Sequence, residues 1–301
     1  MTNVAQRAGF SGVFNVLATP FTERLDVDAR SIKSLVSGVL SAGVDGITVL
    51  GVAGEVHRLT ENERVRVIHA VIEAVNDQVP VIVGTSHNDT SAAVNAAVAA
   101  RRVGAAGLMI APPHGMRAGS VLADHYCQIA DSAQLPIVFQ DYPAVSGVDL
   151  SPQDMADLLH AVPSITTIKL ESIPTPLRTA QMLALLPAGG TILGGLGAVY
   201  FLDELRHGSA GTMTGFAYPE ALKCMYDAYR SGDTSTADAV YMRFRRLLEF
   251  EGQPGVGLAI RKEVLRRRGF ISHAAVRPPG AHVDDRTAAD LTKLLDGVDQ
   301  A

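Results

Sequence analysis

Two hydrophobic patterns alternate along this chain. Short apolar runs rich in Val and Ile recur eight times, at Val13–Leu17, Gly46–Leu50, Val81–Val83, Gly107–Ile110, Ile137–Gln140, Thr166–Lys169, Thr191–Leu193 and Gly211–Thr214. Several are apolar throughout instead of alternating with polar residues, as expected of strands covered on both faces. Between them lie segments of helical length, at about 28–42, 61–77, 91–103, 118–134, 151–161, 175–186, 197–207 and 217–230. Thr60-Glu61-Asn62-Glu63 and Ser151-Pro152-Gln153-Asp154 read as helix N-caps followed by acidic or Pro first turns.

Strand–helix alternation repeated eight times predicts an α/β fold, a closed (β/α)8 TIM barrel. An open doubly wound sheet would carry a phosphate-binding glycine turn after its first strand, whereas here that strand leads into Ala18-Thr19-Pro20-Phe21. Residues 1–230 are assigned to the barrel. Residues 231–301 hold three further amphipathic helices, at about 235–250, 254–268 and 286–296, read as an appendage packed on the barrel with a bend at Arg277-Pro278-Pro279-Gly280.

Composition narrows the function class. Of 301 residues, 47% are hydrophobic and 19% charged, which suits a globular protein with a large core. A net charge of −5 provides no basic footprint for nucleic acid and no attraction to anionic membrane. The opening stretch, Met1 to Gly12, lacks a signal-peptide pattern, and no apolar run is long enough to span a bilayer. A cytoplasmic protein is expected, with Cys127 and Cys224 as reduced core residues. No metal-ligand spacing, nucleotide-binding Gly-Lys loop or nucleophile elbow is present.

The chemistry is expected at the C-terminal strand ends. Lys169 closes the β-branched run Ile165-Thr166-Thr167-Ile168. An ammonium there is costly unless it is paired, and a desolvated lysine that sheds its proton is a nucleophile toward carbonyls. The bland alternative is a strand-end lysine whose head reaches water. The other four lysines, Lys33, Lys223, Lys262 and Lys293, lie in helical patterns where a solvated ammonium is expected. Other strand ends carry Thr19, the Gly51-Val52-Ala53-Gly54-Glu55 turn, Thr85-Ser86-His87, His114, Gln140-Asp141-Tyr142-Pro143, Glu171, Thr212 and Thr214. Each has a structural alternative: the glycines as turn formers, the histidines as loop residues, Glu55 as a carboxylate at a helix N-terminus, Asp141 as a cap, Tyr142 as loop packing.

Together these residues resemble the Schiff-base aldolases and lyases of the dihydrodipicolinate synthase and N-acetylneuraminate lyase superfamily. The resemblance runs through Thr19-Pro20-Phe21, the 51–55 turn (Gly-Thr-Thr-Gly-Glu in the family), the strand at 136–138, Ile168-Lys169 and Gly211-Thr212-Met213-Thr214-Gly215. It implies that Lys169 condenses with the ketone of pyruvate or another 2-keto acid, with no separate cofactor and no metal. It implies that the 51–55 turn holds the substrate carboxylate, and that the protein assembles as a homotetramer, a dimer of dimers.

The departures point to a branch. Val52 and Ala53 replace hydroxyl residues, so only backbone N–H groups remain there. Gln140 stands where the family's strand five has a proton-shuttling tyrosine, and an amide cannot act as acid or base. Val145 falls where dihydrodipicolinate synthases place an arginine for the aldehyde's carboxylate. The run Gln140-Asp141-x-Pro143-x-x-Ser146-Gly147 is similar to the 2-keto-3-deoxy-pentonate dehydratases. The expectation is a Schiff-base lyase, dehydratase or aldolase, of a 2-keto-3-deoxy sugar acid. Lys169 and Tyr142 are the expected catalytic residues, with His114, then Glu171 and then a bound water as further acid–base candidates. Thr19, Gly51, Val52, Ala53, Gln140 and Thr214 are expected to bind substrate, with Gln140, Ser146 and Thr214 meeting the polyol tail. The rivals are the synthase itself and an inactive keto-acid-binding barrel.

Overall fold

The computed structural model describes residues 8–299. Residues 1–7 of the opening stretch and residues 300 and 301 of the tail lie outside the described part. Eight strands close into a barrel in chain order: β1 (Gly12–Val16), β2 (Gly46–Val49), β3 (Val81–Gly84), β4 (Gly107–Ile110), β5 (Ile137–Asp141), β6 (Ile165–Leu170), β7 (Thr191–Gly194) and β8 (Gly211–Thr214). All neighbouring pairs are parallel, including β8 with β1. The connecting helices are α1 (Ala29–Ser41), α2 (Glu61–Val75), α3 (Thr90–Arg102), α4 (Ser120–Ala133), α5 (Pro143–Ser146), α6 (Pro152–Ala161), α7 (Thr175–Leu183), α8 (Phe201–Arg206) and α9 (Pro219–Arg230). Then follow α10 (Thr234–Glu251), α11 (Gly257–Arg267) and α12 (Asp285–Asp299).

Strand periodicity divides the core in two. Phe14, Val16, Ile82, Met109, Val138, Leu193 and Met213 point inward and fill the barrel, with Phe10 packed against them. The alternate residues pack outward against the helices, in the larger core. Thr60 and Ser151 form full capping boxes with Glu63 and Asp154, as their spacing predicts. The segment expected as one helix at 197–207 is broken: a 3-10 turn, Leu196–Ala198, contains Gly197 at φ 66°, and α8 begins only at Phe201. The four-residue α5 is too short to leave a periodic signal. No helix among the described residues is long and apolar enough to cross a membrane.

Two placements differ from expectation. The cysteines are free, but Cys224 is exposed and Cys127 only partly covered, because both lie off the buried stripes of α9 and α4. Lys262 is fully buried on α11, whose inner face packs against the turn after β2.

Candidate active site

A cavity of about 640 Å³ opens at the C-terminal ends of the strands. Its floor is the ends of β1, β5, β6 and β8, and its roof is the end of α10, the start of α11 and the segment at 276–281. Strand pairing sets Lys169 of β6 beside Gln140 of β5, and both side chains enter the cavity.

Glu171 is two residues past Lys169 and turns to the same side. Lys169 Nζ lies 3.1 Å from Glu171 Oε2, with both side chains 7% exposed. Gln140 Nε2 donates to the same oxygen at 2.7 Å, and the Leu196 N–H donates to Oε1 at 3.3 Å. Glycine at 195 permits this arrangement: a Cβ there would sit 2.4 Å from Glu171 Cγ. The carboxylate is therefore fixed by two hydrogen-bond donors and pairs with the amine. Tyr142 completes this wall. Burial, reinforced by the negative charge of Glu171, raises its phenol above the ordinary value, so at neutral pH it keeps its proton and is a donor.

The order of acid–base candidates changes accordingly. Glu171, ranked below Tyr142 and His114 on the sequence, makes the direct contact. His114 is outside the cavity wall, with Nδ1 2.9 Å from the Ser146 carbonyl oxygen. His87 is exposed, and its Nδ1 accepts the Asp89 N–H at 3.1 Å.

Val52 and Ala53 line the cavity from a 3-10 turn, Val52–Gly54, that follows β2. Their N–H groups open the turn and have no earlier carbonyl within it to bond. Gly51 starts the turn, and its carbonyl accepts the Gly54 N–H at 2.9 Å. Thr19 is behind the turn, outside the cavity lining; its hydroxyl is committed to the Gly54 carbonyl at 2.6 Å. Thr19 therefore shapes the turn.

Glu55 is no dipole-facing surface carboxylate. It is wholly buried, 2.5 Å from Lys262 Nζ and 3.0 Å from an Arg58 nitrogen, and it accepts the Arg277 N–H at 2.9 Å. Burial pushes Lys262 down to about 8, against the pull of Glu55. This lysine also donates to the Ala275 carbonyl at 2.8 Å, so the cluster fastens the roof to the β2 turn.

Ser146 is likewise off the cavity, its hydroxyl donating to the Tyr142 carbonyl at 3.1 Å to close α5. Val145 is 51% exposed. Asp141 points away from the barrel interior and caps nothing; Ser172 donates to it, and burial pushes it up to about 6. Thr214 lines the cavity, whereas Thr212 donates to the Gly194 carbonyl at 3.2 Å and Met213 is the inward residue.

The sequence reading missed Arg261. It reaches the cavity from α11, with Nε 3.1 Å from Oε2 of Glu251 at the end of α10. Glu251 is wholly buried, and burial pushes its carboxyl up to about 7 against the guanidinium's pull. The partners are ten residues apart, across an irregular turn, so no helical spacing announces them. No group of three His, Cys, Asp or Glu side chains among the described residues could hold a metal ion.

The dihydrodipicolinate synthetase family model matches residues 9–297. L-2-keto-3-deoxyarabonate dehydratase from Azospirillum brasilense is 29% identical over 96% of this chain and 94% of its own. The crystal structure of dihydrodipicolinate synthase from Rhodopseudomonas palustris superposes with a TM-score of 0.91 at 30% identity, over 96% of this chain and 97% of that one. A prophage protein of the dihydrodipicolinic acid synthase family from E. coli K12, solved in complex with pyruvate, gives a TM-score of 0.89 at 25% identity, over 97% and 99% of the two chains.

Proposed function

The chain is a lyase of the dihydrodipicolinate synthetase family, and we propose that it dehydrates a 2-keto-3-deoxy sugar acid through a lysine imine. The observation that carries the reading is the contact between Lys169 and Glu171 inside the cavity. Lys169 gives a proton to Glu171 and attacks the C2 ketone to form a carbinolamine; Glu171 returns that proton to the carbinolamine hydroxyl, which leaves as water, and an iminium remains. The iminium draws electrons from C3, and Glu171, once deprotonated again, takes the C3 proton to form an enamine. The enamine expels the C4 hydroxyl, which leaves as water with a proton from Glu171 or Tyr142. Hydrolysis then returns the amine, for a net loss of one water. Gln140 holds the Glu171 carboxylate and transfers no proton. The N–H groups of Val52 and Ala53 hold the C1 carboxylate.

The synthase reaction is the second reading, favoured by the resemblance to the Rhodopseudomonas palustris enzyme. Against it stands Val145, exposed and uncharged where an aldehyde carboxylate would need a cation. A third, inactive barrel is disfavoured by an amine and a carboxylate both facing open space. By family resemblance we also propose a cytoplasmic homotetramer.

Borohydride reduction with pyruvate or L-2-keto-3-deoxyarabonate should add the reduced ligand's mass to the peptide carrying Lys169. Labelling on another lysine, or none with either acid, would overturn the mechanism. Catalytic efficiency should favour the sugar acid over pyruvate plus aspartate semialdehyde. Efficient formation of the cyclic condensation product would reverse the substrate assignment and leave the imine intact.

A further inference from the structure

The wall formed by α11 carries a group that the chemistry at Lys169 does not use. Arg261 is 9% exposed, and Glu251 anchors its Nε. Its terminal nitrogens lie over the glycines that follow β7 and β8. A Cβ at Gly215 would be 2.9 Å from Nη1, and one at Gly197 would be 3.9 Å from Nη2. Both glycines line the cavity, so their missing side chains leave the guanidinium fork uncovered on that side.

The charges around the cavity decide what such a fork can hold. Each cation of the lining has a carboxylate in contact: Lys169 has Glu171, Arg261 has Glu251 and Arg58 has Glu55. A hydroxyl oxygen accepts from guanidinium N–H groups without bringing a charge. Of the other groups expected to read a hydroxylated tail, Gln140 is engaged with Glu171 and Ser146 with the Tyr142 carbonyl, while Thr214 stays on the cavity wall.

We propose that Arg261, positioned by Glu251, donates to the hydroxyls of the substrate beyond C4 and so selects a hydroxylated keto acid over a bare one. This rests on the Lys169 imine reading. The test is borohydride trapping at graded concentrations of two acids of equal length, L-2-keto-3-deoxyarabonate and 2-ketopentanoate. In Arg261→Met the half-saturating concentration of the hydroxylated acid should rise about 10- to 100-fold, the worth of one hydrogen bond to a charged group. That of 2-ketopentanoate should stay within about twofold. The paired variant Glu251→Gln with Arg261→Met removes both buried charges together and should show the same selective loss. An equal rise for both acids, no rise for either, or loss of 2-ketopentanoate trapping in both variants would overturn the proposal, placing Arg261 in the frame instead of at the tail. A wild-type protein that traps neither acid overturns the imine reading and this inference with it.

Discussion

Glu171→Gln is the substitution on which the proposed chemistry turns. The carboxylate Oε2 takes Lys169 at 3.1 Å and Gln140 at 2.7 Å, and Oε1 takes the Leu196 N–H at 3.3 Å. An amide supplies one oxygen, so in its better orientation the NH2 group confronts the Leu196 N–H. That mismatch costs about 1–3 kcal/mol. The larger loss is the charge opposite Lys169, since breaking a buried ion pair costs about 3–5 kcal/mol. Removing a positioned base lowers kcat by about 10² to 10⁴. The assays are turnover of L-2-keto-3-deoxyarabonate, borohydride trapping at saturating acid, and urea melts. Turnover should collapse while trapping at Lys169 persists at saturating acid, the amine's proton passing to water in place of Glu171, and Glu171→Asp, which keeps a charge on a shorter arm, should recover part of the rate. If kcat stays within about tenfold of wild type, less than a general base contributes, the C3 proton goes elsewhere, to Tyr142 or a water, and the assignment fails.

Three further outcomes follow from the same geometry. Lys169→Arg should abolish both trapping and turnover, because a guanidinium stays protonated in proteins; residual labelling at that position would refute it. Activity should survive EDTA, given the lack of a ligand cluster among the described residues; loss on chelation, restored by one metal, would contradict this. Burial pushes the Glu204 carboxyl from 4.5 up to about 8, with one oxygen on Thr175 and the other lacking a partner among the described residues. Its folded value lies above its unfolded one, so the stability it confers below about pH 4.5 is lost as pH rises through about 8, at roughly 1.4 kcal/mol per pH unit. Glu204→Gln removes that slope, and parallel stability curves for the two proteins would refute the account.

The barrel was legible because its signals are local. Eight apolar runs of strand length, separated by capped helices, leave few closed arrangements, and closure then fixes Lys169 beside Gln140. Tyr142 entered the cavity for the same reason, by its distance from a strand end. What escaped depends on contacts between distant segments. Thr19 and Ser146 look like ligand-binding hydroxyls until backbone carbonyls are seen to hold them. Glu171 draws close to Lys169 because residue 195, on another strand's loop, has no side chain in the way. Arg261 reads as a solvent-facing helical residue until α11 is laid over the barrel mouth.

The two buried lysines show where composition and periodicity stop. A strand-end position drew attention to Lys169, and a helical pattern turned it away from Lys262, yet Lys262 is the more deeply buried. Burial lowers the cost of losing a proton for Lys262, which no substrate can reach, so burial cannot by itself identify a nucleophile. The difference is what stands in front of Nζ. Lys262 is enclosed by the Glu55 carboxylate, the Ala275 carbonyl and, 4.3 Å away, the Phe21 ring, and it is absent from the cavity wall. Lys169 has one carboxylate beside it and open volume ahead, room for a carbonyl carbon to approach. A nucleophilic lysine therefore requires an unfilled approach path as well as desolvation, and that path is made by glycines and a helical roof far from Lys169 in the chain.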